Sequence, residues 1–397
     1  MLKYIAPLFS LLALSACASN PKAWRTLDGR NLKPAVIDAT TERLIAANDV
    51  KGLAVALIAG GRVSYLNAYG YRDFGKALPL ETNTVMYGAS LTKATFAYFV
   101  MQLVDEGVVD LDRSIGDYLP KPLPEYEKYM DLAGDERWRK LTFRILLSHM
   151  TGFSNFRFFD RNGDYDPDGK LAFYFEPGAR YAYSGEGLNL AQFVLEKGLE
   201  LDVGAEMQKR IFDRFAMNNT SLVWREDFRN NLAHNYDTEG KDLRHNMRSK
   251  VRAAGSMDTT LADWSNFLAA AVRGDGLSKN SKAEMIRQQI RIHSAQQFPT
   301  LWEQTTDAND DIDLGYGLGW GEFESPFGHA FFKEGHDDGT ANYALCIDPK
   351  KTCILLLSNS VRAEGVFKEL VETFLGDVKL PWKWENYIPY DLDDDAR

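Results

Sequence analysis

Residues 94–104 are apolar on almost every side, and this run predicts a helix that must be buried in the centre of the fold. The chain has 397 residues, enough for one large domain or two closely associated lobes around such a helix. Its hydrophobic share of 45% and charged share of 26% are those of an ordinary globular protein. A central apolar helix therefore has enough chain around it to be covered completely.

Strand patterns occur near both ends of the chain. Residues 53–59 and 62–69 flank Gly60-Gly61, which predicts a β-hairpin. Further strands are predicted at 316–323, 330–334, 343–347 and 353–357, and further helices at 260–271 and 365–375. Helical patterns fill most of the chain between the two sets of strands. We therefore expect an α+β fold, in which both chain ends form one antiparallel sheet flanked by helices and a mainly helical lobe is inserted at roughly 110–250.

The N-terminus has the pattern of an export signal. Lys3 is followed by an apolar run from Ile5 to Leu14, which is shorter than a membrane span. The run ends in Leu14-Ser15-Ala16-Cys17, a sequence that resembles a bacterial lipobox. The alternative is an ordinary signal peptide that happens to contain a cysteine. With the lipobox, residues 1–16 are removed and Cys17 carries acyl chains such as palmitate, which anchor the protein to a membrane.

The lipobox also predicts a location and a division of the chain. Ala18, rather than aspartate, follows the cysteine, and by resemblance to sorted lipoproteins this favours the outer membrane of the bacterial cell envelope, facing the periplasm. Residues 17–35 are expected to be a tether, 36–380 the folded domain and 381–397 an acidic tail. A net charge of −10 without a basic run argues against a nucleic-acid partner.

Cys346 and Cys353 are the two cysteines outside the signal region. They flank a turn at 348–351 between two apolar runs, so a short loop would place them opposite each other on adjacent strands. A disulfide would then be within reach, and an exported location would permit it. Two small buried thiols are the equally weighted alternative.

Ser90 and Lys93 are three residues apart at the start of the predicted buried helix, so both side chains lie on one face. A buried lysine has a lowered pKa, and its neutral amine can accept the proton of a neighbouring hydroxyl. Ser19 and Lys22 have the same spacing in the tether, so the spacing alone is weak. What favours Ser90 over Ser19 as a candidate nucleophile is the predicted buried helix that follows it.

The Ser-x-x-Lys pattern and the segments after it resemble the penicillin-binding protein and class C β-lactamase-like serine hydrolases. The matching segments follow in family order and are 146–152 (Leu-Leu-Ser-His-Met-Thr-Gly), 177–187 (Pro-Gly-Ala-Arg-Tyr-Ala-Tyr-Ser-Gly-Glu-Gly), 254–263 (Ala-Gly-Ser-Met-Asp-Thr-Thr-Leu-Ala-Asp), 316–320 (Tyr-Gly-Leu-Gly-Trp) and 335–340 (Gly-His-Asp-Asp-Gly-Thr). The resemblance implies a β-lactamase/transpeptidase-like fold over roughly residues 36–375.

The resemblance also implies roles. Ser90 is the nucleophile that forms an acyl-enzyme, and either Lys93 or Tyr183 accepts its proton. The backbone N–H groups of Ser90 and Gly339 are expected to hold the oxyanion. His336 and Asp337 are expected to lie in the substrate-binding wall, whereas His149 is expected to be structural. Neither a metal nor an organic cofactor is implied.

Two positions depart from the family pattern. Gly185 stands where the family's Tyr-x-Asn has asparagine, so an amide that contacts substrate is missing. Under the alignment of 335–340 with the family strand, Asp337 and Asp338 follow His336 where the family has Thr-Gly. A carboxylate there would repel the carboxylate of a β-lactam, and we therefore expect weak or no β-lactamase activity.

The expected function is thus an exported, membrane-anchored serine hydrolase that cleaves an ester or an amide of a D-amino-acid peptide. The alternative is a non-catalytic module that keeps the pocket to bind cell-wall peptide or a protein partner. The altered positions 185, 337 and 338 favour the alternative, and the complete set of Ser90, Lys93 and Tyr183 favours the enzyme. The aromatic residues of 153–183 could line a cleft, although aromatics at such spacing more often belong to a core.

Overall fold

The computed structural model describes residues 23–392. The predicted signal peptide, Cys17 and the last five residues of the acidic tail lie outside the described residues. Within the described part of the chain, no helix combines the length and the apolar character needed to cross a membrane.

The helices form at the predicted apolar segments and between them. They are α1 (Pro34–Ala47), α2 (Leu91–Asp105), α3 (Phe143–Leu147), α4 (Gly185–Gly198), α5 (Val203–Met207), α6 (Leu261–Arg273), α7 (Lys279–Ile286) and α8 (Glu364–Phe374). Thr260 caps α6 by accepting the Asp263 N–H, and Gly274 ends it with a φ of 79°. The predicted helices 94–104, 260–271 and 365–375 correspond to α2, α6 and α8.

The strands cluster toward both chain ends. They are β1 (Trp24–Arg25), β2 (Asn31–Leu32), β3 (Gly52–Ala59), β4 (Arg62–Asp73), β5 (Leu78–Pro79), β6 (Met86–Tyr87), β7 (Asn235–Tyr236), β8 (Asp242–Leu243), β9 (Asp258–Thr259), β10 (Ile290–Arg291), β11 (Gly315–Tyr316), β12 (Gly321–Ser325), β13 (Gly328–Asp337), β14 (Thr340–Ile347) and β15 (Thr352–Ser358). The hairpin predicted around Gly60-Gly61 is β3 and β4, and both glycines have positive φ.

The main sheet confirms the predicted fold class. It has nine antiparallel strands in the order β10-β11-β12-β13-β14-β15-β3-β4-β5. The last long strand, β15, pairs with the first long strand, β3, and so joins the two chain ends. The fold is therefore α+β, with a large antiparallel sheet and helices on its faces.

Alternation along β3 shows how both faces of the sheet are covered. Ala54, Ala56 and Ile58 face the core that contains α2 and α6. Leu53, Val55 and Leu57 face the opposite core, which contains α1 and α8. Because successive side chains of a strand point to opposite faces, a strand that is apolar throughout must lie between two layers. The helix α2 is thereby enclosed between the sheet and the inserted segment.

The structure corrects three expectations about boundaries. Trp24 is buried and donates its indole N–H to the carbonyl of Phe374, so the end of the expected tether packs on α8. Trp384 is almost fully buried, so the folded domain continues past residue 380. The strand predicted at 316–323 is divided into β11 and β12, because Gly319 turns the chain with a φ of 82° against Ala97 of α2.

Cys346 and Cys353 face each other across β14 and β15 and form a disulfide. Their Cα atoms are 4.1 Å apart, a separation typical of directly opposed residues on antiparallel strands. Of the two alternatives that the sequence left open, the structure has the disulfide.

Candidate active site

Ser90 is held at the start of the buried helix by a tight turn. Strand β6 pairs with β9 and ends at Tyr87, and the chain then turns through Ala89 with a φ of 46°. A left-handed conformation is costly for a residue with a Cβ atom and is typical of functional turns. Ser90 follows at the N-cap of α2, so its hydroxyl is fixed at the helix start.

Lys93 lies one turn further along α2, fully buried. Its Nζ is 2.9 Å from Ser90 Oγ and also donates to the carbonyl of Ala254. Burial, and next the positive charge of Lys333, lower the pKa of Lys93 well below its ordinary value. The amine that contacts Ser90 is therefore disposed to be neutral, as a base must be.

Tyr183 is fixed by hydrogen bonds between its neighbours and the segment that follows α3. The N–H of Ala182 donates to the carbonyl of His149 at 2.8 Å, and the N–H of Ser184 donates to His149 Nδ1 at 3.0 Å. The ring of His149 lies 4.3 Å from that of Tyr183. The histidine is buried and braces the tyrosine, which agrees with its expected structural role.

Lys333 is a functional residue that the sequence analysis missed. Strand β13 brings its Nζ to 3.2 Å from Tyr183 Oη, and the side chain is completely buried. Lys93 and Lys333 each place their Nζ 4.9 Å from the centre of the Tyr183 ring. The tyrosine ring is therefore close to two lysine ammonium groups.

The two ionisable partners of Ser90 have pKa values shifted in opposite directions. Burial, and next the charge of Glu334, raise the pKa of Tyr183 well above its ordinary value, against the effect of its hydrogen bond with Ser90. The Tyr183 phenol thus keeps its proton, whereas the Lys93 amine gives its proton up readily. Opposite shifts of this kind indicate an acid and a base.

Glu334 carries the charge that balances Lys333. Its Oε1 accepts from Lys333 Nζ at 2.6 Å and from the amide of Gln297 at 3.2 Å, and the residue is 4% exposed. Burial lowers the pKa of Lys333, and Glu334 acts in the opposite direction. Behind this pair, the buried Glu385 accepts from the hydroxyl of Tyr343.

The structure places His336 outside this cluster. Its side chain is exposed and bonds to Glu364 at the start of α8, on the other face of the sheet. A Cβ atom on Gly335 would lie 2.7 Å from the carbonyl of Gly88, two residues before Ser90. The strand therefore presents Lys333 and Gly335 to Ser90, and the family's Lys-x-Gly pattern fits residues 333–335 rather than 336–338.

Asp337 and Gly339, the other expected site residues on this part of the chain, differ in their positions relative to Ser90. Asp337 is exposed at the end of β13, and its charge acts on Tyr87, just before the Ser90 turn. Gly339 packs against Asn235 and Tyr236 of β7 instead of the start of α2, a position that does not support its expected oxyanion role. A lysine two residues before a glycine, directly after the apolar residues 330–332, was the signal that could have corrected the register.

Gly185 makes room for an aromatic ring. A Cβ atom at this position would lie 2.7 Å from a ring carbon of Phe156. Phe156 stacks on Phe158, and Phe298 lies 5.5 Å from Tyr183, ring centre to ring centre. The missing amide is thus accompanied by an aromatic wall beside the site, and part of the 153–183 segment lines the cleft while Phe153 is in the core.

A serine hydroxyl, a buried amine at hydrogen-bond distance and a protonated phenol can together transfer an acyl group through a covalent serine intermediate. These features define a serine hydrolase. The sequence model of the Beta-lactamase family matches residues 37–371. The chain belongs to this family of class C β-lactamase and penicillin-binding-protein-like serine hydrolases.

Curated relatives resemble the chain over part of their length. A β-lactamase of Pseudomonas fluorescens is 23% identical over 62% of this chain and 66% of its own length. A lovastatin esterase of Penicillium rubens is 28% identical over 49% of this chain and 55% of its own length. The chain thus covers less than two thirds of either relative.

Among solved structures, an octameric penicillin-binding protein homologue from Pyrococcus abyssi superposes with a TM-score of 0.69. It is 21% identical, and the match covers 89% of this chain and 79% of the other. At this identity the likeness concerns the fold.

Proposed function

We propose that the protein is an exported, lipid-anchored hydrolase that cleaves esters, or amides of D-amino-acid peptides, through an acyl-Ser90 intermediate. The observation that carries the proposal is the 2.9 Å contact between Ser90 Oγ and the buried Lys93 Nζ. The similarity to a lovastatin esterase supports the ester alternative.

Acylation begins when Lys93 accepts the proton of Ser90. Oγ then bonds to the carbonyl carbon of the substrate, and negative charge develops on the carbonyl oxygen. Within residues 23–392, the N–H groups of Leu91, Thr92 and Lys93 are bonded to backbone carbonyls, and that of Ser90 is not. The Ser90 N–H is therefore free to donate to the oxyanion, an interaction typically worth about 3 kcal/mol.

Tyr183 completes both halves of the cycle. As the bond to the leaving group breaks, the phenol gives its proton to the leaving oxygen or nitrogen, and Lys333 stabilises the phenolate that results. In deacylation, water gives a proton to this phenolate and its oxygen bonds to the acyl carbon. Ser90 Oγ leaves with the proton held by Lys93, so all proton positions are restored.

The membrane anchor is proposed from Leu14-Ser15-Ala16-Cys17. Fractionation of bacteria that express the full chain tests it. Cys17→Ala should move the protein from the membrane fraction to the soluble fraction, and a protein with unchanged distribution would contradict the anchor.

Labelling with a fluorophosphonate probe tests the nucleophile. The full chain in detergent micelles should acquire one adduct, mapped to Ser90 by peptide mass spectrometry. Ser90→Ala should lose both the adduct and ester hydrolysis while keeping the melting temperature. Hydrolysis at the wild-type rate by Ser90→Ala would refute the mechanism, and a folded wild-type protein that neither labels nor hydrolyses would favour the binding module.

A further inference from the structure

Glu334 is a carboxylate beside the proposed catalytic residues that takes no part in the proton transfers of the proposed mechanism. Glu334 is 4% exposed, lies next to Lys333 in the strand and bonds to its ammonium at 2.6 Å. Its second oxygen, Oε2, has no hydrogen-bond partner among residues 23–392. The chain thus buries an ion pair at the point where Tyr183 meets the leaving group.

The position of the Lys333–Glu334 ion pair determines which substrates it favours. Tyr183 Oη must contact the leaving atom, and Lys333 Nζ is 3.2 Å from that Oη. Substituents on the leaving group therefore pass close to Lys333. A lone ammonium there would attract a carboxylate on the leaving group strongly, because the site is buried and screening is weak. In this protein Glu334 already forms a salt bridge with that ammonium.

The other charged groups near the site do not replace it. Lys93 is engaged with Ser90 and the Ala254 carbonyl. Arg248 lies over the ring of Tyr87, 3.4 Å from its centre, and pairs with the buried Asp258. Asp337, exposed beside these residues, adds negative charge. Neither Lys93 nor Arg248 is therefore an unpaired cation for a leaving-group carboxylate.

The uncharged surface beside the site is aromatic. Phe156 fills the space left by Gly185, and Phe298 packs edge-on to the Tyr183 ring. Phe298 is 37% exposed, so part of its surface is available to a ligand. Such a wall favours apolar and aromatic groups over ionised ones.

We propose that Glu334 is a specificity-determining residue: by pairing with Lys333 it makes the enzyme select neutral, apolar esters and reject acyl donors whose leaving group bears a carboxylate. This inference rests on the proposed hydrolase function and narrows its substrate class. It excludes as good substrates both D-peptides that end in a free carboxylate and penicillins, and it leaves neutral esters.

Two matched substrates measure this preference directly. The phenylacetate esters of 3-hydroxybenzamide and of 3-hydroxybenzoate have leaving groups of nearly equal size that differ in charge. For the full-length wild type, we expect kcat/KM to be at least about tenfold higher for the amide-bearing ester. In Glu334→Gln the ratio between the two should fall by about tenfold, or about 1.4 kcal/mol, because Lys333 can then pair with the substrate. Glu334→Thr is a second, smaller replacement in case the first does not fold.

Asp337→Asn is the matched control, since it removes a carboxylate on the same strand that does not contact Lys333. We expect it to change the ratio less than Glu334→Gln does. A wild type that prefers the carboxylate ester, a ratio unchanged by both Glu334 variants, or a larger effect of Asp337→Asn would overturn the inference. Failure of the proposed function itself looks different: neither ester would be hydrolysed, and Ser90 would not be labelled.

Discussion

Replacing Lys333 with methionine should move the acid limb of the pH–rate profile to higher pH. Activity requires neutral Lys93, so kcat/KM falls as pH drops through the pKa of this residue. The positive charge of Lys333 helps to hold that pKa down, whereas Glu334 acts to raise it. The Lys333→Met variant removes the first influence and leaves the second unbalanced. Both changes raise the pKa of Lys93, so the direction of the shift is fixed.

The structure sets a lower limit on the size of this shift. Each lysine Nζ lies 4.9 Å from the same ring centre, so the two nitrogens are at most about 10 Å apart. At an effective dielectric constant of about 20, this separation corresponds to a repulsion of about 1.7 kcal/mol. One pKa unit equals about 1.4 kcal/mol, so the acid limb should rise by at least about one pH unit.

The assay is kcat/KM for p-nitrophenyl butyrate, measured from acid to mildly alkaline pH for the wild type, Lys333→Met and Lys333→Arg. The arginine variant keeps the charge and should keep the position of the limb even if its rate is lower. Thermal unfolding shows whether Lys333→Met, which leaves Glu334 buried without its partner, is folded at assay temperature. An acid limb that stays in place, or moves to lower pH, would refute the assignment of Lys93 as the base.

Three further predictions concern packing, the disulfide and substrate charge. Gly185→Asn should lower the free energy of unfolding by about 2 kcal/mol in urea titration, because its Cβ meets Phe156. In a Phe156→Ala background the same substitution should cost much less, and an equal cost in both backgrounds would refute the contact. Replacing both Cys346 and Cys353 with alanine should cost about 2.5 kcal/mol by the chain-entropy relation for a seven-residue separation, and full stability without them would contradict this. Benzylpenicillin should be hydrolysed much more slowly than a neutral aryl ester, because Lys333, the cation beside its leaving group, is already paired with Glu334; rapid turnover in a spectrophotometric assay would show the reverse.

The fold could be predicted from the sequence because its main elements are encoded locally. Period-two and all-apolar patterns predicted β3, β4, β13, β14 and β15, and the continuous apolar run predicted α2. Local pattern failed where a long-range contact decides the conformation. The interruption between β11 and β12 depends on Gly319 meeting Ala97, a residue more than 200 positions earlier.

The site was predicted in part, and the missing part has a physical cause. Ser90 and Lys93 share one turn of the predicted buried helix, so their contact follows from the spacing together with that helix. Lys333 reaches Tyr183 only through the register of β13 against β14. Moving the motif alignment by three residues along β13 places His336 where Lys333 belongs. Because neighbouring residues of a strand point to opposite faces and three is odd, His336 points to the face opposite that of Lys333. The motif alignment could not detect this, since both registers have a basic residue followed within three positions by a glycine.

Glu334 links the specificity of the site to the strength of its base. Burial lowers the pKa of Lys333 and so favours its uncharged form. An uncharged Lys333 could no longer lower the pKa of Lys93. The carboxylate at 2.6 Å opposes that loss of charge. It therefore occupies the ammonium that a substrate carboxylate would need, and it also keeps that ammonium charged so that Lys93 stays neutral. Because this chain carries the negative charge in its own strand, Lys333 stays charged even when the substrate is a neutral ester.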